Sequence, residues 1–157
     1  MSILHRLYFL GLAVLGVLQS AVYGQVPAPA FRKDAELVFM SAKGASLARI
    51  DIEIAERATD RMRGLMFREQ MEEGQGMLFL FPTEEPLSFW MKDTPLPLDI
   101  IFLSADRTIV TIRKNTVPFS EASVPSDHPA KFVVEVSAGF ADRHRLAPGD
   151  RVFWQRL

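Results

Sequence analysis

Short apolar runs separated by turn residues fill most of the chain after residue 35. The clearest run spans residues 47–55, where Ala48, Ile50, Ile52 and Ile54 alternate with charged residues. A period of two with β-branched residues on one side predicts a half-buried strand whose other face is charged and exposed. Glu53 belongs to that charged face in this prediction.

Further apolar runs predict additional strands, and two segments predict short helices. The strand-like runs, each bounded by glycine, proline or polar turn residues, are 36–40, 77–81, 99–103, 108–113, 132–136 and 151–155. The helix-like segments are 59–66 and 140–146. We therefore predict a mainly β, single-domain protein, an antiparallel sandwich or barrel with one or two short helices.

The first predicted helix begins at Thr59, which suits an N-cap position. Met62, Leu65 and Met66 are spaced at i, i+3 and i+4, so we expect them on one helix face directed at the core.

The first 24 residues have the pattern of a secretory signal peptide. His5 and Arg6 precede an apolar run over residues 7–18, and Val22 and Gly24 are small residues at the right positions for cleavage. The alternative is an uncleaved membrane anchor, for which the run is short. We predict a signal peptide at 1–24, a flexible proline-containing linker at 25–35 and a β domain at 36–157. The protein would then be periplasmic or secreted, with no membrane span after cleavage.

Composition narrows the function classes. The chain has no cysteine, so it forms no disulfide, and its formal net charge is −1. It has no block of lysine or arginine, so we predict no nucleic-acid partner. Of three histidines, His5 falls in the predicted signal, and no His-rich ligand motif is present. We predict no metal and no cofactor.

The stretch from Ser88 to Asp99 combines aromatic, charged and proline residues more densely than any other part of the sequence. Its prolines fix a bend between two strands, which would hold several side chains near one point. An exposed aromatic ring beside charged groups suits a small polar ligand, because the ring stacks while the charges orient. Phe89 and Trp90 face opposite ways in a strand, so one of them belongs to the core. The predicted ligand-binding residues are Arg63, Arg68, Trp90, Lys92, Asp93 and Asp99.

Three carboxylates form an alternative, catalytic hypothesis. Asp93, Asp99 and Glu135 are candidates for a hydrolase that uses paired carboxyl groups as acid and base. The structural alternative is that Asp99 accepts backbone N–H groups in the turn. A buried Glu135 would then pair with an arginine such as Arg63.

Methionines suggest a third hypothesis. Thioethers are soft ligands that bind copper(I), and methionines gather around the central stretch. They also fill gaps in irregular cores, which is the alternative explanation, and a purely structural role for the whole motif remains open beside these. The methionines concerned are Met62, Met66, Met71, Met77 and Met91.

Three motifs in order resemble the DUF192 family of bacterial and archaeal proteins. They are residues 61–68 (RMRGLMFR), 76–81 (GMLFLF) and 89–94 (FWMKDT) followed by 97–100 (PLDI). The resemblance implies a jelly-roll-like single domain and an uncharacterised function. Where the family usually has Asn, this chain has Asp93, which removes a hydrogen-bond donor. We expect an exported protein that binds a small ligand or an envelope partner through the junction from Trp90 to Asp99.

Overall fold

The structure is a computed structural model, and it describes residues 30–157. The predicted signal peptide and the first part of the predicted linker lie outside the described residues. Within residues 30–157 the longest helix has six residues, too short to cross a membrane. The last linker residues are tied to the sheet, because the Arg32 amide donates to the Glu53 carboxylate at 2.7 Å and the Asp34 amide donates to the Ile52 carbonyl at 2.9 Å.

Strands dominate the described chain, as the sequence predicted. In chain order the elements are β1 (Ala35–Met40), β2 (Ser46–Ala55), α1 (Ala58–Arg63), β3 (Gln75–Glu85), β4 (Ser88–Phe89), β5 (Leu98–Leu103), β6 (Ile109–Arg113), β7 (Val124–Pro125), β8 (Ala130–Ser137), α2 (Phe140–Arg143) and β9 (Arg151–Arg156).

Seven strands form one sheet in the order β6-β5-β8-β3-β2-β1-β9, and β4 pairs with β7 in a second, two-stranded sheet. All pairings are antiparallel except β2 with β3, which run parallel. The two edge strands of the large sheet are β6 and β9, and they come together. Thr108 and Arg151 form an antiparallel bridge there, and the Ile109 amide donates to the Asp150 carbonyl at 2.8 Å. The large sheet therefore curls back on itself as a barrel, which leaves few unpaired edge groups.

Side chains alternate between two apolar clusters on the two faces of the sheet. On β3, Leu78 belongs to the first cluster, while Met77 and Phe79 belong to the second. Phe140 of α2 packs into the first cluster, with its ring centroid 5.5 Å from that of Phe39. The second cluster lies beneath the segment after α1 and the stretch around β4, since Leu65, Leu87 and Met91 are buried in it. Both faces of the central strands are thus buried.

The prediction that Glu53 lies on an exposed face was wrong. Glu53 is only 5% exposed, and both of its carboxylate oxygens accept from Nη2 of the buried Arg68, at 2.8 and 3.1 Å. The first half of β2 does alternate between buried and accessible positions, but its last four residues are all buried. The segment after α1 covers that part of the strand and supplies Arg68.

The helix α1 is shorter than the sequence predicted, and its N-cap is Arg57 instead of Thr59. Gly64 ends it with a positive φ of 47°, a conformation that glycine adopts readily. Leu65 consequently lies beyond the helix and is buried, whereas Met62 is 74% exposed. The expected shared core face of Met62 and Leu65 does not form, because the helical period stops between them.

Candidate functional site

The stretch between β4 and β5 is joined to two other parts of the chain through backbone hydrogen bonds. The Phe67 amide donates to the Asp93 carbonyl at 2.7 Å, and the Phe119 amide donates to the Thr94 carbonyl at 3.1 Å. The Met91 amide donates to the Ser120 carbonyl at 2.8 Å. The segment after α1 and the loop after β6 are thus fixed to this junction.

Phe89 and Trp90 face opposite ways, and the structure decides which one is inside. Phe89 makes edge contacts with Phe79, Phe81 and Phe102, with ring centroids 5.1, 6.2 and 5.7 Å away. Such edge-to-face arrangements are favourable for aromatic pairs. Trp90 is 46% exposed, so part of its ring is accessible from solvent.

A cleft of about 320 Å³ opens between α1, β3, β4 and the junction. Its volume is at the lower end of the range for small-molecule sites. Apolar side chains make up most of the wall, and a few polar groups interrupt them. The lining residues are Ala58, Arg61, Met62, Arg63, Gly64, Leu65, Met66, Phe79, Phe81, Ser88, Phe89, Trp90, Thr94 and Glu135.

Glu135 is the unusual polar group of this cleft. Its strand neighbours are Met77 and Ile100, and the side chain is 4% exposed. Among the described residues it has neither a hydrogen bond nor an ion pair, and burial raises the pKa of its carboxyl group to about 8. A desolvated carboxyl group without a partner favours the neutral acid, which donates one hydrogen bond. Unpaired buried carboxyl groups are costly and are concentrated at functional sites.

Two guanidinium groups line the same cleft. Arg61 lies with its guanidinium carbon 5.1 Å from the centre of the Phe81 ring, and it donates to the Glu56 and Leu80 carbonyls. Arg63 is exposed at the mouth. In the described part of the chain, neither arginine has a carboxylate within salt-bridge distance. Arg63 therefore does not pair with Glu135, although both line the cleft.

The structure brings three of the predicted site residues to the cleft, namely Trp90, Arg63 and Glu135, and separates the others. Arg68 is buried in its ion pair with Glu53. Lys92 lies 5.3 Å from the centre of the Trp90 ring but does not line the cleft.

Asp93 lies outside the cleft and adopts a positive φ of 52°. Asn and Asp tolerate this left-handed conformation better than other residues do, apart from glycine. The backbone therefore accounts for Asp93 at a position where the family usually has Asn, because both residues suit the turn.

Asp99 is fully buried on the sheet face opposite to Glu135. It is paired in register with Val136, the next residue along β8, so its side chain and that of Glu135 project from opposite faces. Its carboxylate accepts the amides of Asn115 and Ala141, each at 2.9 Å. These bonds match the structural alternative, in which Asp99 holds a turn.

Of the three candidate carboxyl groups, Glu135 is the one that lines the cleft, as far as the structure describes the chain. The methionines are also divided between environments. Met62 and Met66 line the cleft, whereas Met91 is buried and its sulfur accepts from the Thr116 hydroxyl at 3.1 Å. In the part of the chain that the structure describes, no group of three or more His, Cys, Asp or Glu side chains is placed to hold a metal ion.

Sequence reasoning missed Arg61 and the wall formed by Phe79 and Phe81. It also left the direction of Glu135 open, since a strand buried on both faces shows no alternation. One signal was present: Glu135 is the single charged residue between Phe132 and Val136. An acid in an apolar run is expensive to bury, which points to a special role.

The described chain is a barrel-like β domain with an open cleft that is lined by an exposed tryptophan and a buried carboxyl group. The chain belongs to the DUF192 family, described as Uncharacterized ACR, COG1430, whose model matches residues 38–154. The resemblance noted from the three motifs is thereby confirmed.

Similar proteins support this family assignment. UPF0127 protein PF1050 from Pyrococcus furiosus is 27% identical over 114 residues, which cover 69% of this chain and 90% of that protein. A solved structure from Sinorhizobium meliloti 1021, described as a candidate transcription regulator, is 38% identical with a TM-score of 0.75, covering 80% of this chain and 96% of that one. A protein of unknown function from Novosphingobium aromaticivorans is 34% identical with a TM-score of 0.72, covering 76% and 84% respectively.

Proposed function

We propose that this protein binds a small ring-bearing ligand in the cleft between α1 and β4. The observation that carries the proposal is the buried Glu135 carboxyl group, which has no partner within residues 30–157 and lines a cleft beside the exposed Trp90. Trp90 stacks against the ring, and Glu135 forms a hydrogen bond with a polar group of the ligand. From the predicted site the proposal keeps Trp90 and Arg63, with Lys92 beside the Trp90 ring. It replaces Asp93, Asp99 and Arg68 by Glu135 and Arg61.

Binding suits this arrangement better than paired-carboxylate hydrolysis does. Acid–base hydrolysis of a glycosidic bond by two carboxyl groups requires both on the same side of the sheet, about 5 to 10 Å apart. Asp99 projects from the face opposite to Glu135, and both of its oxygens already accept backbone amides. A single neutral acid with aromatic walls is sufficient to orient a ligand.

A ligand screen by thermal shift tests this proposal. A compound present at about a hundred times its dissociation constant stabilises the native state by about 2.7 kcal/mol, a shift of a few degrees for a domain of this size. Trp90→Ala is expected to abolish the shift. The matched control is Phe153→Ala, because Phe153 is 42% exposed on β9 and does not line the cleft. A shift that survives Trp90→Ala, or disappears equally in both variants, contradicts the proposed site.

Export from the cytoplasm is part of the same proposal. It is supported by the apolar run over residues 7–18 and the small residues Val22 and Gly24. Fractionation of expressing cells, followed by N-terminal sequencing of the recovered protein, tests it. Cleavage before Gln25 in the envelope or medium is the expected result, and an intact Met1 in the cytoplasm would contradict it.

A protein or envelope partner is a second candidate, favoured by a specific surface. Phe67 and Phe119 are 61% and 64% exposed, and both adopt positive φ while their amides hold the junction. Bulky residues in this conformation are strained, and such strain is concentrated at functional sites. Phe67→Ser with Phe119→Ser is expected to reduce binding to isolated envelopes while leaving Trp90-dependent ligand binding intact. Unchanged envelope binding would contradict this candidate.

A further inference from the structure

The charge of the cleft differs from that of the whole protein. The chain carries a net charge of −1, yet two arginines line the cleft and neither has a carboxylate partner in the described residues. Elsewhere, arginines such as Arg57 and Arg143 are bonded to acids. Cations that remain unpaired inside a concave, partly apolar site create a positive potential there, because low-dielectric walls focus the field.

The one carboxyl group of the cleft does not cancel that potential. The side chain of Glu135 is only 4% exposed and lies between its strand neighbours Met77 and Ile100. Burial keeps its pKa at about 8, so it is mostly neutral near pH 7.

The charged groups on elements around Glu135 come from four directions. Beyond Met77, Glu53 of β2 is bonded to Arg68, and beyond Ile100, Arg113 of β6 is bonded to Asp127 at 2.5 Å. From α1, Arg61 and Arg63 line the cleft, and from the junction Lys92 lies 5.3 Å from the centre of the Trp90 ring. The first two pairs are internally neutralised. Among the described residues, the free charges that a ligand meets are therefore those of the two α1 arginines and of Lys92 beside Trp90.

A ligand that fits this site needs three features. It must supply a negative charge for the guanidinium groups, which bind carboxylates and phosphates through charge-assisted hydrogen bonds. It must accept a hydrogen bond from the neutral Glu135 carboxyl group. It must also present a ring or apolar face to Trp90. A neutral ligand leaves the arginines without a counter-charge, and a cationic ligand is repelled.

We infer that the cleft selects a small organic anion, whose charged group is held by Arg61 and Arg63 while its ring lies against Trp90. This inference rests on the proposed function and adds the chemical class of the ligand. Glu135 then serves as a proton-bearing hydrogen-bond donor at the base of the site.

The first test needs no ligand. In a background that combines Trp154→Phe with Lys92→Met, Trp90 is the only tryptophan and has lost the Lys92 ammonium beside its ring. Its fluorescence is quenched with iodide or with caesium. Iodide is expected to quench more strongly. Arg63→Met should lower the ratio of the iodide quenching constant to the caesium quenching constant by about twofold. This is the size expected when one nearby charge is removed in screened water. The control Lys43→Met removes a charge from an exposed turn outside the cleft. Equal quenching by both ions, or equal effects of the two variants, overturns the inference.

The second test compares acids with matched neutral compounds by titration calorimetry. The pairs are galacturonate with galactose and phenylacetate with phenylacetamide. The acid of at least one pair is expected to bind about tenfold more tightly than its neutral partner, and Arg63→Met should remove the difference. If the neutral members bind equally well through Trp90, the anion preference is wrong and the proposed binding site stands. If no member of either pair binds, both the site and its preference are wrong.

The pH dependence of that affinity tests the part assigned to Glu135. Above about pH 8 the ionised carboxylate repels an anion and no longer donates, so the affinity for the acid is expected to fall. Glu135→Gln keeps a donor at every pH and should remove this decline. If the affinity of Glu135→Gln falls equally steeply with pH, another group causes the decline, and the role of Glu135 as a hydrogen-bond donor is wrong.

Discussion

Replacing Glu135 by glutamine tests the buried carboxyl group by its effect on stability. Burial raises the pKa of Glu135 from 4.5 in the unfolded chain to about 8 in the native state. The native state therefore retains a proton that the unfolded state loses between these two values. The stabilisation from the protonated form is fully present below about pH 4.5 and is lost as pH rises to about 8. Glutamine resembles the neutral acid and has no such dependence.

The magnitude follows from the width of that interval. At about 1.4 kcal/mol for each pH unit, ionisation of Glu135 lowers the free energy of unfolding by roughly 5 kcal/mol above pH 8. Near pH 7 the loss is roughly 3 kcal/mol by the same relation. Glu135→Gln should therefore match the wild type near pH 4.5 and exceed it by several kcal/mol near pH 8.

Urea unfolding between about pH 5 and about pH 9 measures this difference. Titrations of other groups contribute similarly to both proteins and cancel in the comparison. Glu69→Gln is the matched control, since Glu69 is exposed in the segment after α1 and lies outside the cleft lining. If the stability difference between Glu135→Gln and wild type stays constant across this pH range, Glu135 is not the buried acid described above.

Three further substitutions probe the framework of the site, each measured by urea unfolding. Arg68→Met should lower the free energy of unfolding by roughly 3 to 5 kcal/mol, because it leaves the buried Glu53 without its counter-charge. Adding Glu53→Leu should recover much of that loss. A larger loss in the double variant would contradict this reasoning. Asp99→Asn should lower the free energy of unfolding by roughly 1 to 3 kcal/mol, because the amide nitrogen of asparagine cannot accept the second backbone N–H group. Iodide quenching of Trp90 should stay unchanged, and altered quenching would tie Asp99 to the cleft. Gly76→Ala should cost roughly 1 to 3 kcal/mol, because a Cβ there would lie 2.7 Å from the Glu135 carbonyl oxygen; a neutral effect would mean that the backbone yields at this point.

The large elements could be predicted from sequence because their signals are local. Residues 47–55 alternate over a full strand, and the run 98–103 is wholly apolar apart from Asp99. An alternating run indicates a strand that is buried on one face, and a continuous apolar run indicates a strand that is buried on both faces. Strands could therefore be recognised without knowledge of their partner strands. The organising stretch around Trp90 was also recognisable, because its prolines and aromatic residues are adjacent in the chain.

The composition of the site was decided by tertiary structure. Glu135 lies about 45 residues from Trp90 in sequence, and only the pairing of β8 with β3 and β5 directs it into the cleft. A shift of one residue in that register would direct the Glu135 side chain to the opposite face of the sheet, the face from which Asp99 projects. Likewise, Glu53 looked exposed by its period, but the segment after α1 folds over it and places Arg68 beside it. The sequence determined which segments form strands and where they turn, since these depend on neighbouring residues. Tertiary structure alone decided which charged groups are buried, paired or free, because that depends on contacts between residues far apart in the chain.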